Sequence, residues 1–327
     1  MMKTGNTVSV AMAVCNGKRY LAQQLQSILH QSLVPDEIVI CDDASQDSTV
    51  EIANAFQRKY PDIINLIRNE NRLGASKNFE LAIRLSTGTV ICLADQDDVW
   101  KPEKIQILST LILNAKQPAG AFANSTITDE NLKPTGENHW QIRGFSPALL
   151  DFLYGDHLDK LSIFLKRVPA AGHDMAFHSS LKPLLLPFPN LPECHDTWIG
   201  LVLALINVWN FTGEELTMFR QHDGNASQSG RNKSLLQQWH EARKSITDDS
   251  FAWHTALYRE LLARLSSRLA PEVIELVRDR LDHSQRRAAM NTNFARRLPM
   301  VLHELQTKRY FYYARGWKSV FQDLFLR

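Results

Sequence analysis

The stretch Val90-Ile91-Cys92-Leu93-Ala94-Asp95-Gln96-Asp97-Asp98-Val99-Trp100 joins an unbroken apolar run to three carboxylates within four residues. Five apolar residues without polar alternation suit a strand buried on both faces, as in a parallel sheet. Adjacent carboxylates repel unless a cation holds them. Their hard oxygens suit Mg²⁺ or Mn²⁺ bridging a diphosphate. The plainer reading is an acidic turn capping a helix near Pro102, but a cap uses one carboxylate, not three.

On either side of this stretch, short β-rich runs alternate with amphipathic helical patterns. Strands are expected at Thr7 to Val14, Glu37 to Cys41, Ile63 to Arg68, Thr89 to Ala94 and Gly120 to Asn124. Helices are expected over Leu21 to Leu29, Thr49 to Tyr60, Ala75 to Ser86 and Pro102 to Asn114. This alternation predicts an α/β fold: a mostly parallel, Rossmann-like sheet with helices on both faces.

In such sheets ligands sit beyond the carboxyl ends of the strands. Three strands end in polar clusters: Cys15-Asn16-Gly17, Asp42-Asp43-Ala44-Ser45, and Asp95 to Asp98. Asp42 and Asp43 could accept hydrogen bonds from a nucleobase or ribose, or could form an Asx-turn. The segment Asn69 to Asn78 offers Arg72, Lys77 and a glycine at a helix start, a setting for phosphate contacts or simply a polar loop.

Residues 126–170 carry no regular pattern. Beyond them come a strand-like segment (Ala171 to His178), a proline-rich loop and an apolar helix starting near Thr197. Asp196 opens that helix, as its N-cap or as a carboxylate kept ionised by the helix dipole, and the two roles are compatible. After Leu216 to Phe219, the polar loop Arg220-Gln221-His222-Asp223 could present Arg220 to a diphosphate and His222 to a metal or diphosphate.

Several ordered motifs together resemble family 2 glycosyltransferases, most closely the bacterial rhamnosyltransferase-like branch. They are Val8 to Val14 with Asn16-Gly17, Asp42-Asp43-Ala44-Ser45, Asn71 to Asn78, and Asp95-Gln96-Asp97-Asp98-Val99-Trp100 with Pro102 and Lys104. Shorter ones follow: Gly172 to Phe177, His195-Asp196-Thr197-Trp198, and Arg220 to Ser227.

The resemblance implies a GT-A fold, a nucleotide-diphosphate-sugar donor, Mn²⁺ or Mg²⁺, and an inverting single displacement onto an acceptor hydroxyl. Carried over, it makes Asp97 a metal ligand with His222, and Asp196 the general base. It assigns Ala13, Cys15, Asn16, Asp42, Asp43, Lys77, Asp95 and Arg220 to the nucleotide sugar. Rhamnose from dTDP-rhamnose, passed to a glycan or lipid-linked saccharide of the cell surface, is the first expectation. One departure is Cys15, where many relatives place an aromatic residue to stack on the donor base.

Two other classes stay open on the residues alone. A metal-dependent nucleotidyltransferase would want a Gly- and Arg-rich phosphate loop after the first strand, which Val14 to Arg19 supplies poorly. A non-catalytic nucleotide-sugar-binding partner would not need Asp196.

The 327 residues carry a net charge of only +2, but unevenly. Residues 286–327 hold nine Lys/Arg against Glu304 and Asp323, interleaved with aromatics from Tyr310 to Phe325. That pattern suits peripheral contact with an anionic membrane surface, or a helix packed on its own protein, and nucleic acid is not expected as a partner. The domain expectation is a catalytic domain over 1–229 and a helical region with the basic-aromatic tail over 234–327, joined near Gly224 to Lys233. Cys15, Cys41, Cys92 and Cys194 form no CxxC pair and read as small apolar residues of a reducing compartment. The longest apolar stretch, Trp198 to Phe211, is shorter than the roughly 20 residues of a bilayer span. A cytoplasmic protein is expected, peripheral on the inner face of the membrane at most.

Overall fold

The computed structural model describes residues 5–145, 149, 153, 155–192, 195–225, 250–290 and 292–326. Cys194, Ala226, Ser227 and most of the expected linker lie outside the described residues. The chain divides into two compact units, each outlined separately below. The first holds residues 1–147, 169–203 and 207–230, and the second 148–168, 204–206 and 231–327.

The first unit is built on a mixed sheet whose strands run in the order β3-β2-β1-β4-β8-β6-β9-β5, with β7 paired to β6. The amino-terminal half supplies β1 (Val8–Val14), β2 (Glu37–Asp42), β3 (Ile64–Arg68) and β4 (Val90–Ala94), all parallel. Their connections are the helices α1 (Leu21–Leu29), α2 (Thr49–Lys59) and α3 (Ala75–Leu85). β1 and β4 are buried along nearly their whole length. This is why they read as continuous apolar runs rather than alternating ones.

The other half departs from the parallel pattern. β5 (Val99–Trp100) leads into α4 (Lys104–Leu113) and then β6 (Gly120–Thr128), β7 (Pro134–Asn138) and the single turn α5 (His139–Ile142). β8 (Met175–His178) lies antiparallel to both β4 and β6. β9 (Trp209–Arg220) runs parallel to β6 and antiparallel to β5. Only the first half of the chain has a helix in every crossover, so only there could alternation reveal strand direction.

Two expectations are corrected. The segment 171–178 is not one strand: Gly172–Asp174 forms a 3₁₀ turn before β8, which sets His173 and Asp174 among the buried residues. The apolar stretch from Trp198 is likewise divided. After the single turn α7 (Lys182–Leu185), the helix α8 (His195–Leu205) ends before Asn207, whose left-handed φ of 55° turns the chain into β9. Hydrophobicity cannot show that break, because Val208 and Trp209 on its far side are apolar too.

The second unit is helical. It comprises α6 (His157–Lys166), α9 (Ser250–Leu265), α10 (Pro271–Ala288), α11 (Phe294–Gln306), α12 (Arg309–Tyr313) and α13 (Trp317–Phe325). Leu257, Leu261 and Leu265, four residues apart, are buried along one face of α9. A small core gathers Met290, Val301, Tyr310 and Val320. Arg287 spans helices by donating to both carboxylate oxygens of Asp323 at 2.6 and 3.0 Å, while Tyr310 donates to Asp323 at 2.8 Å. Among the described residues, no helix is long and apolar enough to cross a membrane.

Candidate active site

Strand register places three loops on one edge. Val14 pairs with Asp42 and Met12 with Ala94, so Cys15, Asp43 and Asp95 each begin a loop at the carboxyl end of a parallel strand. A cleft of about 400 Å³ opens there, lined by Ala13, Cys15, Asp43, Asp95, Asp97 and Asp196 among others.

Gln96 clamps the first and third loops together. Its Oε1 accepts from the Cys15 backbone N–H at 2.8 Å, and its Nε2 donates to the Cys15 carbonyl at 3.0 Å. Gly17 is glycine because a Cβ there would sit 2.3 Å from Gln96 Oε1. Gln24, buried on α1, donates to the Asp95 carbonyl at 2.9 Å and fixes the acidic turn from below. Asp43 ties the second loop to the start of α3: its carboxylate accepts from the backbone N–H of Leu73 and Gly74, and from Asn69.

The acidic turn meets the far end of β9. Pairing of Val99 with Met218 carries Arg220 back to Asp98, whose Oδ1 accepts the Arg220 backbone N–H at 3.1 Å. Two residues on, His222 Nε2 lies 2.9 Å from Asp97 Oδ2. The His222 ring also packs on Tyr20, with centroids 4.8 Å apart. A carboxylate and an imidazole brought together at a cleft form an oxygen-and-nitrogen donor pair that fits Mn²⁺ or Mg²⁺, with Asp95 nearby on the same turn.

Beneath the turn is a buried ionic network. Lys104, 0% exposed, donates to the His173 carbonyl at 2.5 Å and to Thr217 Oγ1 at 2.6 Å, and lies 3.7 Å from Asp174. His173 Nε2 is 3.1 Å from Asp174, and its Nδ1 is 3.6 Å from Asp95 and 3.9 Å from Asp98. Burial favours a neutral His173, but Asp174 and Asp98 outweigh it and raise its pKa well above the ordinary value. Burial likewise opposes charge on Asp174, yet His173 and Lys104 hold it below the usual carboxylate range.

Asp98 behaves oppositely. Burial, with Asp97 and Asp95 adding to it against His173, pushes its pKa up to about 8, and its Oδ2 has no hydrogen-bond partner. Ligand-type atoms of Asp95, Asp98 and His173, and of His139, His173 and Asp174, lie within 4.8 Å of one another. Both clusters offer carboxylate oxygens and imidazole nitrogens, donor types that can hold a divalent ion.

The glycosyl transferase family 2 model matches residues 9–162. The chain is 34% identical over 231 residues to the Escherichia coli protein WfaP, covering 71% of this chain and 83% of WfaP. WfaP is named as a UDP-Glc:α-D-GlcNAc-diphosphoundecaprenol β-1,3-glucosyltransferase. This chain belongs to glycosyltransferase family 2. It is also 34% identical over 148 residues to the dTDP-rhamnosyl transferase RfbG of Shigella flexneri, a match spanning 44% of this chain and about half (49%) of that relative. In fold it is similar to Staphylococcus aureus TarS bound to UDP-GlcNAc, with a TM-score of 0.56 at 16% identity over 98% of this chain and 93% of that one. The GT-A fold implied by the motifs is therefore the fold of this family 2 member.

The structure distributes the sequence-predicted residues unevenly. Ala13, Cys15, Asp43, Asp95, Asp97 and Asp196 line the cleft, and His222 joins Asp97. Asp196 sits in the first turn of α8, where its Oδ1 accepts the Thr197 backbone N–H at 2.6 Å. Four others are placed differently. Asp42 is 1% exposed at the end of β2 and accepts from Ser45, so Asp43 is the carboxylate of that pair that lines the cleft. Asn16 is exposed and holds Gln46 through its side chain. Lys77 pairs with Glu80 at 2.9 Å and donates to the Phe188 carbonyl. Arg220 is 2% exposed, and its guanidinium is occupied by the Asp97 and Glu130 carbonyls and Gln23 Oε1. It braces the acidic turn through three of its five N–H donors.

Sequence reading missed Asp98, His173, Asp174 and the buried Lys104 as one charge network. All four stood inside the quoted motifs, but only the fold shows that residues 104, 173 and 217 meet.

Proposed function

We propose that the chain transfers a sugar from a nucleoside diphosphate donor to a hydroxyl of a saccharide acceptor, with inversion. The observation that carries this is the meeting of Asp97 and His222, 125 positions apart in sequence, at the mouth of a cleft that Asp196 also lines. Asp97 and His222 would hold Mn²⁺ or Mg²⁺, and such an ion supplies positive charge to the departing diphosphate. Asp196 accepts the proton of the attacking hydroxyl as its oxygen bonds to the anomeric carbon and the carbon–oxygen bond to the diphosphate breaks. Asp95 and Asp43 face the donor, and Gln96 keeps their loops in register.

Rhamnose from dTDP-rhamnose is the donor suggested by RfbG, and a lipid-diphosphate saccharide the acceptor suggested by WfaP. Peripheral membrane contact on the cytoplasmic side suits such an acceptor. Trp317, Phe321 and Phe325, at 68, 52 and 62% exposure, are the side chains that would enter the headgroup layer.

Thermal stability measured with dTDP, UDP or GDP, each with and without Mn²⁺, tests the donor site. Metal-dependent stabilisation by one nucleotide, lost in Asp97→Ala, is expected; no response to any nucleotide would sink the reading. Asp196→Asn should keep that stabilisation while losing at least about a hundredfold in turnover.

A further inference from the structure

We propose that the helical unit contains a second anion site, which takes a phosphate or diphosphate group. A cavity of about 430 Å³ lies within this unit, lined by Lys166, Arg167, Arg280, His283, Arg287 and Arg315 among others. That volume falls in the range of small-molecule sites. Among the described residues no carboxylate lines it.

Cations that merely fasten helices together in this unit are matched with carboxylates. Arg287 is bidentate on Asp323, and Arg309 is held by Asp279 and Glu304. Arg287 keeps that pattern although it also lines the cavity, whereas Arg280 and Lys166 depart from it. Arg280, 6% exposed, donates to the Leu165 carbonyl at 3.0 Å and to Ser284 Oγ at 2.6 Å, both neutral acceptors. Its guanidinium lies 4.7 Å from the Tyr258 ring centroid, which fixes its plane. Lys166 donates to the Phe311 carbonyl at 2.9 Å, again neutral. Burial, and then the adjacent charge of Arg167, push the Lys166 pKa down.

His283 completes the lining. Its Nδ1 is 2.5 Å from Glu304 Oε2, while its buried Nε2 has no partner. A wall with a planar guanidinium held in place and an ammonium matches the several oxygens and multiple charge of a phosphate. The transfer reaction does not require this site, so the two readings stand or fall separately.

The test is calorimetric titration of the full chain with inorganic pyrophosphate in the presence of a chelator, which keeps the cleft free of divalent metal. Binding should persist in Asp97→Ala and weaken about tenfold or more in Arg167→Gln/Arg315→Gln, both exposed positions whose replacement spares the core. The charge-matched variant Arg296→Gln/Lys318→Gln, outside the cavity lining, should bind as wild type does. Absence of binding, or equal weakening in both double variants, would overturn the site.

Phosphatidylcholine vesicles doped with phosphatidic acid separate the sources of the phosphate. Sedimentation that pyrophosphate reverses and Arg167→Gln/Arg315→Gln abolishes assigns the site to a lipid headgroup. Indifference of the vesicles, with variant-sensitive pyrophosphate binding, assigns it to a soluble phosphate.

Discussion

Lys104 shows how one side chain can support a site it does not touch. It is wholly buried, with its ammonium 4.0 Å from the Trp100 ring centroid and bonded to the turn that carries His173. Burial of a charge is tolerated only where partners replace water. Here they are Thr217, the His173 carbonyl and Asp174. Lys104→Met keeps the stem's volume and removes the charge, leaving Asp174 with His173 as its remaining cation. The expected cost is about 3–5 kcal/mol in urea unfolding, because breaking a buried pair strands its other half. A loss under about 1 kcal/mol would mean that the network contributes little to the fold.

At the scale of elements, the site is a product of loop-to-loop clamping more than of any single loop. The Gln96 amide binds both polar groups of the Cys15 peptide, and Gly17 leaves it room. Gly17→Ala would place a methyl group against the end of a flexible side chain, so Gln96 should swing away and the fold survive. Loss of two hydrogen bonds predicts a stability decrease of about 1–2 kcal/mol. Nucleotide affinity should fall in Gly17→Ala and in Gln96→Ala to a similar extent, read by the metal-dependent thermal shift. If Gly17→Ala binds nucleotide normally while Gln96→Ala does not, the clamp tolerates the methyl group and the glycine has another reason. The tail shows element-scale division as well: Tyr310 and Tyr313 are buried while Tyr312, Trp317, Phe321 and Phe325 are exposed, so basic-aromatic interleaving hides two faces with different tasks.

For the molecule as a whole, the buried ionisable groups predict an unusual pH profile. Burial opposes ionisation of Asp174, Asp95 and Glu80, yet their cationic partners hold all three below ordinary carboxylate values. They therefore stabilise the native state above about pH 4, and that contribution is lost as the pH falls toward their folded values. Asp98 runs the other way. Its folded pKa of about 8 means the native state keeps a proton that the unfolded chain releases above about pH 4, so stability falls as pH rises between the two. His173, raised above its ordinary value, adds a loss above about pH 6.5. With a chelator present, the urea midpoint should be highest at about pH 4–6 and decline on both sides. Asp98→Asn should flatten the decline toward pH 8; an unchanged slope would show that Asp98 is ionised throughout.

The sequence by itself determined the parallel half of the sheet, the three strand-end loops and the family. Those features are local: a buried strand must be apolar along its length, and a helix must show its stripe within a dozen residues. Asp97, His222 and Asp196 could be named as candidates from sequence because each lies just beyond a strand end or in the first turn of a helix. Tertiary structure decided the rest. It split 171–178 into a turn and a strand, chose Asp43 over Asp42 for the cleft, and spent Arg220 and Lys77 on protein oxygens. It also joined Lys104, His173, Asp174 and Thr217, and left Arg280 and Lys166 facing neutral acceptors. The physical reason is the same in each case. Whether a charged side chain meets a ligand or a protein partner depends on which groups a long-range strand or helix pairing brings within about 3 Å of it, and sequence spacing carries no such distance.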